Sequence, residues 1–356
     1  MLSKDTHVIS ISEDYSFAQV LAYLQRSAQE CLHTVTADGR LIKAFDAGGR
    51  LLLLEVGAGA EPGELALRLL AEGRDTAGSR GFADSKDLAD GGGFAENRDL
   101  AVSRGPAHSW APTGSRAVAE SRGFTASQDA AAAGIDAAVM ALVREWLDAD
   151  VELTPFYEMG RTDEILHEVV ERGRGLRIVG IPDLFEALVW AIMGQQINLT
   201  FAYKLKRSFV EAFGRSLEHE GRRHWLFPTP ERIAAVEPGE LTAMQLSASK
   251  TQCILTTARL IAAGELDKAA LAAAKPEEAV AALTAVRGIG PWTAHYVSMH
   301  CLRHRDAYPA EDAGLHNALR TRLGLPGKPP LAVVREWGER WRPWRAYAVF
   351  YLWNVR

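Results

Sequence analysis

Apolar positions in the first half of the chain change their period more than once. In YSFAQVLAYLQRSA, Phe17, Leu21 and Leu24 fall at helical spacing, which predicts an amphipathic helix. The next stretch, CLHTVTADGRLIKAFDAGGRLLLLEV, breaks into short apolar runs parted by Asp38-Gly39 and Gly48-Gly49, the signature of an antiparallel hairpin or meander. Helical spacing returns in AAVMALVREWLD at residues 137–148. Together these predict an α+β N-terminal domain over residues 1–160, with a small antiparallel sheet. From about residue 161 the pattern is helical almost to the end, in LFEALVWAIMGQQI, FAYKLKRSFVEAF, KTQCILTTARLIAAG, PEEAVAALTAV, TAHYVSMHCL and RAYAVFYLW. Pro182, Pro228, Pro238, Gly264, Pro276 and Gly288 punctuate it. No strand-alternating run stands out there, so residues 161–356 are expected to form an all-α domain of roughly ten helices.

Residues 73–134 interrupt the first domain. They are rich in Gly, Ala, Ser, Asp and Arg, and a short pattern recurs in GFADSKDLA (81–89), GFAENRDLA (93–101) and GFTASQDAA (123–131). The spacing is too irregular for a solenoid, and each unit has too little apolar surface to bury a core. The stretch is read as a disordered insertion in a surface loop, which a fold tolerates because closure entropy grows only logarithmically with length.

Composition narrows the function classes. No apolar run approaches the ~20 residues of a membrane span, and MLSKDTHVISISEDYS lacks a signal-peptide core, so a cytoplasmic protein without membrane contact is expected. Cys31, Cys253 and Cys301 are far apart and odd in number, which fits neither a disulfide framework nor a metal cluster. The net charge is −5, yet residues 314–356 hold eight Lys/Arg against two Asp/Glu. A local basic surface is what meets phosphate, so Arg342 and Arg345 are candidate phosphate contacts.

The string LTAVRGIGPWTAHYV, residues 283–297, places a helix end near Val286, the turn Arg287-Gly288-Ile289-Gly290, and a helix start at Pro291. Gly288 and Gly290 permit positive φ and the close approach of a neighbour, and Pro291 suits a first helical position. The exposed N–H groups there, with Thr293 beside them, form an anion site. A bare GxG serves any tight turn. The full string resembles the helix–hairpin–helix, a clamp on DNA phosphate.

Downstream lies DAYPAEDAGLHNAL, residues 306–319. Asp312, 22 residues after Gly290, matches the catalytic aspartate of the helix–hairpin–helix DNA glycosylase superfamily. The chain resembles its alkylbase branch, the DNA-3-methyladenine glycosylase II family. ALVWAIMGQQI (187–197), FPTPERIAA (227–235), RWRPWRAYAVFYLW (340–353) and the N-terminal α+β region carry the same resemblance, and only 73–134 stands outside it. The resemblance implies a monofunctional glycosylase that hydrolyses the N-glycosidic bond of alkylated purines in duplex DNA, in base excision repair. It implies a monomer whose partner is double-stranded DNA containing alkylated bases, with no metal site and no required cofactor. Whether the hairpin carbonyls around Thr284, Val286 and Ile289 hold a monovalent cation stays open.

Roles carry over residue by residue. Asp312 would be the catalytic carboxylate, suited to a sugar that becomes oxocarbenium-like. Trp292, Tyr296 and Trp353 would wall the base pocket. Gln196, supported by Gln195, would be the wedge that fills the gap left by an everted base. Gly288, Gly290 and Thr293 would contact the DNA backbone. Three positions depart from other members: Gln196 is polar where apolar wedges occur, Ala313 stands where some carry an aromatic, and Trp292 replaces the lysine of strand-nicking members. Two alternatives remain, a helix–hairpin–helix DNA-binding protein without catalysis and a glycosylase for another damaged base.

Overall fold

Four consecutive leucines show how the N-terminal region is built. The computed structural model describes residues 6–74 and 134–355, so the 73–134 stretch read as a disordered insertion lies, apart from its ends, outside the described residues. Strands β1 (Thr6–Ser10), β2 (His33–Val35), β3 (Leu41–Ala47), β4 (Arg50–Ala58) and β5 (Glu64–Arg74) form an antiparallel sheet in the order β1-β5-β4-β3-β2. Helix α1 (Phe17–Leu24) lies between β1 and β2 in sequence. Gly48 and Gly49, at φ 67° and 86°, turn β3 into β4 as the Gly-Gly signal predicts. Leu52 and Leu54 pack with Val20 of α1 and with Val139 and Val143 of α2 (Ala137–Leu147). Leu51 and Leu53 face the other way, toward Leu226. Both faces are covered, so the polar–apolar alternation of a half-exposed strand is missing from LLLL.

Leu226 belongs to a hairpin that the helical reading of 161–356 did not anticipate. Strands β6 (Arg215–His219) and β7 (Arg222–Leu226) turn through Glu220 and Gly221, both at positive φ (48° and 70°). The hairpin lies against β3, where Leu217 and Leu226 cover the leucines of β4. Its strands are short and carry charge on the exposed side, which hides their alternation.

The rest is helical: α3 (Thr154–Thr162), α4 (His167–Arg172), α5 (Leu184–Gly194), α6 (Leu199–Phe213), α7 (Pro230–Ala234), α8 (Pro238–Ala243), α9 (Ala248–Ala262), α10 (Lys268–Ala273), α11 (Pro276–Thr284), α12 (Pro291–His300), α13 (Ala313–Arg322), α14 (Leu331–Glu339) and α15 (Arg345–Asn354). Asp183 caps α5, accepting the Glu186 N–H at 2.6 Å. Leu184 to Met193 are all buried because α6, α9 and α12 surround α5. Among the described residues, no helix is long and apolar enough to cross a membrane.

Charged groups join the sheet region to the helices. Lys206 of α6 is buried between Glu30 and Glu186, 3.3 Å from each. Buried Asp148 pairs with Arg303 and accepts the Tyr347 hydroxyl at 2.5 Å. Arg50 pairs with Glu72 and Asp136 and donates to the Gly134 carbonyl at 2.7 Å, while its backbone sits opposite Arg74 in the sheet.

Candidate active site

Asp312 is the N-cap of α13, where its Oδ1 accepts the Leu315 N–H at 2.6 Å. Two indoles converge on the same carboxylate. Trp292 Nε1, from α12, donates to Oδ2 at 2.8 Å, and Trp353 Nε1, from α15, donates to Oδ1 at 2.8 Å. Three helices thus fix one side chain. No cation pairs with Asp312 among the described residues, whereas Glu311 pairs with Arg335 and Asp306 is held by Arg342 and Arg345. Neutral donors orient a carboxylate without cancelling its charge, which leaves that charge for a cation that forms nearby. Composition makes Asp306, Glu311 and Asp312 equivalent, and geometry separates them.

Gly314 belongs to this arrangement although the sequence reading passed over it. A Cβ there would lie 2.9 Å from Asp312 Oδ1 and 3.3 Å from Trp353 Nε1. Arg342 and Arg345, expected to meet phosphate, are instead engaged with Asp306 and Glu339, because these carboxylates lie within reach on the same surface.

The hairpin joins α11 to α12. Gly288 is at φ 96°, and a Cβ there would come within 2.8 Å of Cys253 Sγ. Gly290 is different: its φ of −91° suits any residue, and a Cβ would meet nothing within 4 Å. Only Gly288 is a glycine for conformational reasons, and the space beside Gly290 is open at the start of α12. The first-turn N–H groups there have no intrahelical acceptor, which makes an anion site. The Thr293 hydroxyl is not part of it, since Thr293 is buried and accepts Gln195 Nε2 at 3.0 Å. The Val286 carbonyl accepts the Ile289 N–H at 3.0 Å. Among the described residues, no three His, Cys, Asp or Glu side chains are placed to hold a metal.

Gln195 also donates to the Gly288 carbonyl at 3.2 Å, so it faces the hairpin and is not free to act as a wedge. Lys250 Nζ donates to the Met193 and Gln195 carbonyls at 2.9 and 2.7 Å, capping the end of α5. Gln196, next in the chain, is exposed at φ 56°. A non-glycine residue in that region is strained, and such strain gathers at functional loops.

Tyr296 stacks on Trp292 with centroids 5.4 Å apart and an interplanar angle of 27°. Its hydroxyl accepts Trp190 Nε1 at 2.9 Å, and burial raises its pKa. Tyr296 also lines a solvent-open cleft of about 570 Å³, which Trp292, Trp353 and Asp312 do not line. Its lining combines the aromatic rings of Tyr23, Trp190, Tyr203, Tyr296 and His300 with the charged groups of Glu30, Lys43, Glu186 and Lys206, and Lys206 Nζ lies 5.4 Å over the Trp190 ring. Burial lowers the His300 pKa to about 3, and its Nδ1 lies 3.0 Å from the Val179 carbonyl. Arg26, also in the lining, donates from Nε to the Tyr203 hydroxyl at 2.8 Å, and its guanidinium lies over Tyr23 at 4.0 Å. These residues come from segments with no common motif, so spacing alone could not have found them.

Comparison with known proteins gives a consistent result. Residues 189–343 match the HhH-GPD superfamily of base excision DNA repair proteins, and residues 121–188 match the 8-oxoguanine DNA glycosylase N-terminal domain. The chain is 45% identical over 217 residues to a DNA-3-methyladenine glycosylase of Bacillus subtilis, covering 61% of this chain and 72% of that one. It is 32% identical over 179 residues to DNA-3-methyladenine glycosylase 2 of Escherichia coli, covering 50% of this chain and 60% of that one. The solved 3-methyladenine DNA-glycosylase from Archaeoglobus fulgidus has the same fold, at TM-score 0.71 and 20% identity over 98% of this chain and 97% of that one.

Proposed function

This chain belongs to the HhH-GPD superfamily of base excision DNA repair proteins, among the DNA-3-methyladenine glycosylases, and from that membership we propose that it hydrolyses the N-glycosidic bond of alkylated purines in duplex DNA. The observation that carries the reading is Asp312, aimed by three neutral donors from three helices and, among the described residues, left without a cation. The hairpin holds a phosphate at the start of α12, and the target nucleotide is everted from the stack. Gln196 enters the vacated space and hydrogen-bonds the orphaned base. The Trp292–Tyr296 stack offers π faces to the purine, worth about 0.5–2 kcal/mol to a cationic ring.

The glycosidic electron pair then leaves with the base. Asp312 stabilises the positive charge that grows at the anomeric carbon, a water adds there, and its proton passes to the carboxylate or to solvent. Trp292 occupies the position where an amine would form a Schiff base with the sugar, so the product is an abasic site in an unbroken strand. The protein acts as a monomer without a cofactor. The test is single-turnover incubation with duplexes carrying one 3-methyladenine or 7-methylguanine. Release of free base with intact strands is expected. Binding without any release would leave a DNA-binding module in its place.

A further inference from the structure

Arg26 lines the cleft beside Tyr23 and Tyr203, and it is unusually held. Its Nε is committed to the Tyr203 hydroxyl and its plane rests on the Tyr23 ring, yet among the described residues no carboxylate pairs with it. Its Nη1 and Nη2 donate to no acceptor among the described residues, and the side chain is exposed and lines the cleft. Elsewhere in the protein Arg40, Arg50, Arg335 and Arg342 each pair with a carboxylate. A guanidinium fixed at one nitrogen, with its outer edge free, is a preorganised fork for two acceptors lying side by side.

We propose that Arg26 is a specificity-determining residue that reads the edge of the everted base. The inference rests on the glycosylase reading above and goes beyond it. A 6-oxopurine such as hypoxanthine presents O6 and N7 as paired acceptors, which the fork engages bidentately. A 6-aminopurine presents a donor at one of those places. A 7-methylated purine has no lone pair at N7 and carries positive charge that the guanidinium repels. Arg26 therefore favours neutral two-acceptor purines and opposes cationic ones, against the pull of the aromatic faces. Guanine shares this edge and is set apart from hypoxanthine by its stronger pairing, which resists eversion.

The test measures single-turnover release of hypoxanthine and of 7-methylguanine from the same duplex by wild type, Arg26→Gln and Arg26→Lys, with melting temperatures alongside. The hypoxanthine-to-7-methylguanine rate ratio should fall about 10–100-fold in Arg26→Gln, the discrimination typical of a bidentate contact. Arg26→Lys keeps the charge and loses the planar fork. It should therefore abolish edge reading while retaining repulsion of the cationic base. A proportional loss of both rates would make Arg26 a packing residue and overturn the proposal. An unchanged ratio, or a wild type that releases 7-methylguanine and no hypoxanthine, would overturn it too. Absence of any base release by wild type would overturn the glycosylase reading and this inference with it.

Discussion

Asp312 has the features expected of a carboxylate that meets a transient cation. It is oriented by indole N–H groups and has no cation partner among the described residues. Asn is nearly isosteric and neutral, so Asp312→Asn removes the charge and keeps the volume. Loss of a preorganised electrostatic contact of this kind lowers the rate by about 10²–10³-fold. Binding to a non-cleavable abasic duplex should persist, because removing a negative charge does not weaken the hold on phosphate. Glu311→Gln breaks only the exposed pair with Arg335 and should change the rate little. The measurement is single-turnover release of a methylated purine, and a dead Glu311→Gln beside an active Asp312→Asn would move the assignment by one residue. The register behind RGIGPWTAHY singled out Asp312 in the sequence. The two indole bonds could not be read there, because Trp292 and Trp353 lie 20 and 41 positions away.

At the scale of elements, the hairpin and the loop after α5 behave as one piece. Gln195 bonds Gly288 and Thr293, and Lys250 ties the end of α5 to α9. The GQQ string suggested Gln196 as the wedge with Gln195 in support; that Gln195 turns toward the hairpin depends on what it meets in space. The hairpin glycines were read as a pair for the same reason. Their environments predict different outcomes. Gly288→Ala places a Cβ against Cys253 at a positive φ and should lower stability by about 1–3 kcal/mol, seen in the melting temperature. Gly290→Ala should leave the melting temperature unchanged and weaken duplex binding, because its methyl group projects into space that a phosphate would use. Equal loss of stability in both variants would contradict this division. The meander, α1 and most long helices were legible from periodicity. The β6–β7 hairpin was not, because its buried side chains serve a sheet formed more than 140 residues earlier in the chain.

At the scale of the whole molecule, the sheet region and the helices share a buried interior in which two histidines are kept neutral. Burial holds His33 at about 4 and His300 at about 3, below the ordinary value near 6.5. Protons therefore bind the unfolded chain first. Stability is complete above about pH 6.5 and is lost as pH falls from there toward the depressed native values. Each such histidine contributes a slope of up to about 1.4 kcal/mol per pH unit in that window. His300→Asn should flatten the stability–pH curve between pH 6 and 4 relative to wild type, whatever it does to absolute stability. Denaturant midpoints at a series of pH values would reveal it, and parallel curves would show that His300 does not titrate on unfolding.

Arg50 has a consequence for the chain's capacity to change length. One guanidinium touches both chain segments that flank residues 75–133, through Glu72 on one side and Gly134 and Asp136 on the other. It works as a suture: the folded body holds its two cut edges together without help from whatever joins them. Insertions and deletions between those edges are then nearly silent to the host, since each doubling of length adds only about 0.6 kcal/mol of closure entropy. Replacing residues 76–133 with a short Gly-Ser bridge should leave the melting temperature and base release close to those of the full chain. Arg50→Ala in that shortened protein should lower its melting temperature more than any change of bridge length does.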